Sequence, residues 1–148
     1  MTVTQRSAHN TKAPPLELPL FASRIMAGFP SPADDHVERT LDLHTLLVER
    51  PAATFYLRVE GDSMCEAGIL SGDIVVVDRS LTPQDGDIVI AVLDGELTIK
   101  RMGKKDGCVA LFPENKAYAP ILVLPDQALE IWGVVTGSVR QFRRAKAR

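Results

Sequence analysis

The dipeptide Asp94-Gly95 constrains this chain more than any other feature. It lies between two apolar-rich runs, "DIVIAVL" and "ELTIKRM". An Asp-Gly pair accepts the left-handed backbone that a tight hairpin turn requires, and the twist of that turn matches the strands it joins. A hairpin closed there has one register: Leu93 faces Glu96, Ala91 faces Thr98 and Val89 faces Lys100. Side chains alternate along a strand, so Val89, Ala91, Leu93, Thr98 and Lys100 share one face. Ile88, Ile90, Val92, Leu97 and Ile99 share the other, which is expected to be the core side. Lys100 then sits on a partly apolar face. Two readings are open there. It is an edge lysine with its ammonium in water, or a desolvated lysine whose pKa is lowered because burial disfavours the charge.

The chain from Thr54 onward has the same β character. "TFYLRVE", "DIVVVD", "CVALFP" and "ALEIWGVVTGSVRQF" are rich in Val, Ile and aromatics and are punctuated by Gly, Asp and Pro. Before them, "LDLHTLLVERP" predicts one short helix. Asp42 is its N-cap, Leu43, Leu46 and Leu47 form a stripe against the core, and Pro51 stops it. Residues 1–36 show neither period and include the proline-bearing "GFPSP", so they predict an extended arm. The expected fold is mainly β: a strongly bent antiparallel β domain with one short helix and an extended N-terminal arm. The expected division is an arm over 1–36, a β domain over 37–142 and a basic tail over 143–148.

Composition narrows the function. A formal net charge of −2 makes the whole chain no electrostatic magnet for nucleic acid. The C-terminal "RQFRRAKAR" carries Arg140, Arg143, Arg144, Lys146 and Arg148 with no acid, which reads as a solvated terminus. Cys65 and Cys108 have no paired spacing, so no zinc site is expected and reduced thiols suit a cytosolic chain. "PLELPLFASRIMAG" is interrupted by Glu17 and Pro19 and does not make a signal peptide. No run approaches the ~20 apolar residues of a membrane span. The chain is expected to be soluble and cytoplasmic, without cofactor or metal.

A polar turn, "GDSM", sits inside "RVEGDSMCEAGILSGDIVVVD". Its Ser63 is either a turn residue or a nucleophile. As a nucleophile it needs a base. His9, His36 and His44 are candidates, with Asp34, Asp35 and Asp42 as orienting acids. The same groups resemble a loose metal cluster, but no HExxH spacing supports one. The other candidate is Lys100. A neutral lysine deprotonates serine when its pKa falls from about 10.4 towards operating pH.

Taken together, these motifs resemble the LexA/UmuD self-cleaving serine peptidases. The resemblance rests on "GDSM", "GILSGDIVVVD" and "DGELTIKR", with a Ser63-to-Lys100 interval of 37, and on the later "LFPEN", "YAPI" and "IWGVV". It runs from about Ala27 to Phe142 and is closest to the UmuD subfamily through "GFPSPADDHVERTLDLHTLLVERPAATFYLRVEGDSM". It implies a LexA/signal-peptidase-like fold, with Ser63 as nucleophile and Lys100 as general base. It implies scission at Ala27-Gly28 and an oxyanion hole from the backbone amides of Asp62 and Ser63. UmuD proteins often have Cys-Gly at the scissile bond, so Ala-Gly here is LexA-like. The partners it implies are a second copy in a homodimer, a RecA filament on single-stranded DNA that stimulates cleavage, and a UmuC-type translesion polymerase subunit. No membrane and no sequence-specific DNA contact is implied. Only 27 residues precede Gly28, too few for the helix-turn-helix domain of a repressor. A non-enzymatic β module that docks on a repair polymerase is the alternative, and a phage-type repressor fragment a third.

Overall fold

The predicted hairpin forms in the predicted register. In the computed structural model, which describes residues 14–30, 32 and 36–143, the strands run in chain order as follows. β1 is Leu18–Phe21, β2 Val37–Leu41, β3 Thr54–Arg58, β4 Ile74–Asp78 and β5 Ile88–Leu93. β6 is Glu96–Lys105, β7 Cys108–Phe112, β8 Ile121–Leu122 and β9 Leu129–Val139, and the helix α1 is Leu43–Leu47. β5 and β6 pair antiparallel with Leu93 opposite Glu96 and Val89 opposite Lys100. Asp94 and Gly95 have φ of 50° and 83°, the left-handed values the turn demands. The same chemistry recurs at Asp106-Gly107, with φ of 52° and 77°, which joins β6 to β7 and sets Lys105 opposite Cys108. β6 therefore runs past Met102, where the sequence pattern ended it.

Contacts divide the chain into two units, Met1–Leu46 and Leu47–Arg148. In the first unit β1 pairs antiparallel with β2, Leu18 opposite Leu41 and Phe21 opposite Val37. The Thr40 hydroxyl donates to Glu17 Oε2 at 3.2 Å. No strand was expected at β1, because four residues containing Pro19 carry little alternation. The Asp42 cap is as expected: its two carboxylate oxygens accept from the His44 N–H at 3.0 Å and the Thr45 hydroxyl at 2.9 Å. The leucine stripe is not as expected. Leu43 and Leu46 are each 59% exposed. Leu47 alone of the three is half-buried, where it faces Gly137 of β9.

The second unit is built on a seven-stranded antiparallel sheet in the order β3-β4-β9-β5-β6-β7-β8. Each face of β5 carries a core. One core holds Val59, Met64, Ile69, Val75, Val77 and Ile90, with Ile88 and Ile99 packed on it. The other holds Val89, Ala91, Leu111 and Val134. The expectation of a single core face on the hairpin is corrected accordingly. β5 lies between β9 and β6 and is covered on both sides, whereas Leu97, near the hairpin tip, is 50% exposed. The face of Val89 and Lys100 is thus an interior face. None of the described helices is long and apolar enough to cross a membrane.

Gly133, in the middle of β9, shows how tightly this sheet is packed. A Cβ there would lie 2.6 Å from Val77 Cγ1 and 3.0 Å from the Asp78 carbonyl oxygen. The carbonyl is backbone and cannot move aside. Gly133→Ala is expected to destabilise the domain by about 1–3 kcal/mol. Urea unfolding with an unchanged slope and a lower midpoint checks this.

Candidate active site

The loop from Val59 to Asp73 carries Ser63 between β3 and β4. Its sequence explains why a polar turn holds still. Met64, beside the serine, is buried at 1% exposure in the first core, and Ile69 is buried there too. Val59 and Ala67 pack on the same core, and Met64 and Ile69 pin the segment beyond the serine. A short 3-10 turn, Cys65–Ala67, lies between them. The Gly61 N–H donates to Ser71 Oγ at 3.1 Å and closes the loop's neck.

Lys100 projects from β6 and is only 8% exposed. Its Nζ lies 3.0 Å from Ser63 Oγ, 2.7 Å from Thr98 Oγ1 and 3.0 Å from the Ile99 carbonyl oxygen. Burial pushes the Lys100 pKa below its ordinary 10.5. The three oxygens match the three N–H bonds of an ammonium. A neutral amine keeps two N–H donors for Thr98 and Ile99 and turns its lone pair to Ser63. The serine hydroxyl, an acceptor in the first state, becomes the donor in the second. Both protonation states are hydrogen-bonded with the heavy atoms in place. Thr98 was placed on the Lys100 face by the hairpin register, but nothing in the sequence named it as the lysine's partner.

The loop after β7 grips the Ser63 turn through further hydrogen bonds. The Glu114 N–H donates to the Ser63 carbonyl at 2.8 Å, and the Glu114 carbonyl accepts from the Glu66 N–H at 2.8 Å. Asn115 Nδ2 donates to the Asp62 carbonyl at 2.9 Å. The Tyr118 hydroxyl donates to Asp62 Oδ1 at 2.6 Å, and that carboxylate raises the Tyr118 pKa. The N–H groups of Asp62 and Ser63 find no acceptor among the described residues. Glu114, Asn115 and Tyr118 fall in "LFPEN" and "YAPI", which the sequence offered as likenesses without a physical role.

Arg140 corrects one expectation. It is not part of a solvated tail. Its guanidinium spans Asp73, Nε to Oδ1 and Nη2 to Oδ2, both at 2.7 Å, and Nη2 also donates to the Gly68 carbonyl at 2.8 Å. Asp73 is 1% exposed, and its Oδ2 also accepts from the Leu70 N–H. The guanidinium holds the Asp73 pKa down, to about 2. Arg144, Lys146 and Arg148 lie outside the described residues, as do His9, Asp34 and Asp35. His36 and His44 belong to the first unit. So do Ala27 and Gly28, both exposed, with Ile25 and Phe29 beside them 96% and 91% exposed.

The family model described as Peptidase S24-like matches residues 19–136. Protein SamA of Salmonella typhimurium is 50% identical over 84% of this chain and 86% of its own length. Protein ImpA of the same organism is 45% identical over 86% of this chain and 87% of its own. LexA repressor 2 of Pseudomonas syringae pv. tomato is 46% identical over 85% of this chain, which spans 61% of that repressor. With a mainly β antiparallel fold and a family match over most of its length, the chain belongs to the Peptidase S24-like family.

Proposed function

We propose that this protein is a UmuD-like mutagenesis protein that cuts itself once, between Ala27 and Gly28, by a Ser63–Lys100 dyad. The observation that carries the reading is the 3.0 Å approach of a buried lysine Nζ to Ser63 Oγ. A lysine desolvated in this way is a base matched to a serine hydroxyl. Neutral Lys100 takes the Ser63 proton as Oγ attacks the Ala27 carbonyl carbon. The oxyanion forms against the backbone N–H groups of Asp62 and Ser63. Collapse breaks the Ala27–Gly28 bond, and the Lys100 ammonium returns its proton to the departing Gly28 amine. Water, deprotonated by Lys100, then frees the Ala27 carboxylate from its ester with Ser63. The product beginning at Gly28 has 148 − 27 = 121 residues.

The substrate is the chain itself, so proximity replaces a binding pocket for free peptide. The resemblance supplies the rest of the reading. A RecA filament on single-stranded DNA favours the cleavable pose of the arm, a shift of population towards the reactive state. The shortened homodimer then serves a UmuC-type translesion polymerase in the bacterial cytoplasm.

Intact mass of the purified chain is the test, either at alkaline pH or with RecA and single-stranded DNA. The expected product begins at Gly28, and Ser63→Ala stays whole. Cleavage at another bond, or undiminished cleavage of Ser63→Ala, contradicts the reading. Damage-induced mutagenesis supported equally by Ser63→Ala and wild type would favour the binding-module alternative.

A further inference from the structure

We infer that Arg101 and Glu114 are a positioning pair that fixes the nucleophile's backbone relative to the strand of its base; the inference rests on the Ser63–Lys100 reading. Arg101 follows Lys100 on β6 and points to the opposite face. Its Nη1 donates to the Gly86 carbonyl at 2.6 Å, and its Nε donates to the Glu114 carboxylate. The guanidinium is therefore braced at the start of β5 and reaches across to the segment after β7.

Glu114 is the residue whose backbone holds the nucleophile's loop. Its N–H holds the Ser63 carbonyl, and its carbonyl holds the Glu66 N–H, both at 2.8 Å. One residue thus bridges two points of the loop, one of them the serine itself. Arg101 fixes where that residue stands. The path from base to nucleophile is short: Lys100, the next residue along the strand, its ion pair, then one backbone hydrogen bond to Ser63. Dyad chemistry depends on this path, because a misplacement of about 1 Å can cost roughly a hundredfold in rate.

The pair's exposure separates this role from a purely structural one. The Arg101 and Glu114 side chains are 36% and 30% exposed, and ion pairs that open to water contribute little to stability. Its loss should appear in the reaction rate far more than in the melting temperature. It should also leave the pH midpoint alone, since burial lowers the Lys100 pKa and burial persists. Were the Arg101 charge acting on Lys100 directly, its removal would raise that midpoint, because a like charge nearby disfavours the ammonium.

The test uses the full chain and its first-order self-cleavage rate across a pH series, with melting temperatures alongside. Glu114→Gln and Arg101→Gln are each expected to slow cleavage at least tenfold at every pH, with an unchanged midpoint. The double variant should be no slower than either single one, as expected of two groups acting through one contact. Arg101→Lys, which keeps a cation in reach of the carboxylate, should recover part of the loss. Wild-type rates in both single variants, multiplying losses in the double variant, or a shifted midpoint would each overturn the proposal. Should Glu114→Gln fail to fold, Arg101→Gln against Arg101→Lys makes the same comparison. A wild-type chain that does not cleave, or a Ser63→Ala chain that does, defeats the Ser63–Lys100 reading and the pair's role with it. Intact variants beside a cleaving wild type with an inert Ser63→Ala isolate the pair.

Discussion

Lys100→Arg is expected to stop the proposed self-cleavage, lowering the rate by roughly a thousandfold or more across the pH range in which the wild type reacts. Arginine keeps its charge at any workable pH, so it has no lone pair to offer Ser63. Wild-type cleavage should rise about tenfold per pH unit while Lys100 is mostly ammonium, then level off. The plateau begins below 10.5, because burial lowers the folded-state pKa. Lys100→Met is the control for packing. It removes the base and also the cost of burying an ammonium, so it should be inactive yet no less stable. The folded pKa is depressed relative to the unfolded chain, so the penalty is full below the folded pKa and fades as pH rises towards 10.5. First-order constants from intact mass, taken from about pH 7 to about pH 10, provide the check. A flat wild-type profile, or an arginine variant that tracks the wild type, sinks the assignment.

Arg140→Ala is the second large effect, and it falls on stability. The substitution leaves Asp73, 1% exposed, without its cation. An uncompensated buried carboxylate of this kind is expected to lower the melting temperature at neutral pH by roughly 10 °C. Acid should close the gap. In the wild type the Asp73 pKa is lowered from 3.8 to about 2, so its stabilisation is present above 3.8 and is lost as pH falls through about 2. In the variant the lone carboxyl is harder to ionise, and protonation relieves it. The two melting curves should therefore start to converge above about pH 4, as the variant's carboxyl protonates, and meet by about pH 2. Calorimetry at several pH values decides the matter, and equal melting temperatures at neutral pH would refute the clamp. Because Arg140 also holds the Gly68 carbonyl, the variant should cleave more slowly even while folded.

How much of this was legible follows from how local each feature is. The β5–β6 register needed two turn residues and a period of two, so Lys100 and Thr98 were placed on one face from the sequence. The Asp106-Gly107 turn carries the same signal and was legible by the same rule. Arg140 was misread because a basic run without acids reads as solvated, and its acid lies 67 residues back, at Asp73. The stripe on α1 misled because periodicity records which residues share a face, not whether anything covers it. The pairing of β1 with β2 has no local signature, since most of its ladder is made with residues about twenty positions away. The 3.0 Å between Ser63 and Lys100 depends on how the Ser63 loop meets the sheet, which no spacing of residues encodes.

The grip on the Ser63 loop has a consequence for synthesis. A chain leaves the ribosome from its N-terminus, and the first residues out already include Ala27, Gly28 and Ser63. The contacts that shape the nucleophile's loop come late: Lys100, then Glu114, Asn115 and Tyr118, and last Arg140. While it is being made, the chain holds the proposed scissile bond and Ser63 but not the contacts that set the serine beside Lys100. On the proposed reading its own order of translation is a safety catch, released only when the chain has been made as far as Arg140.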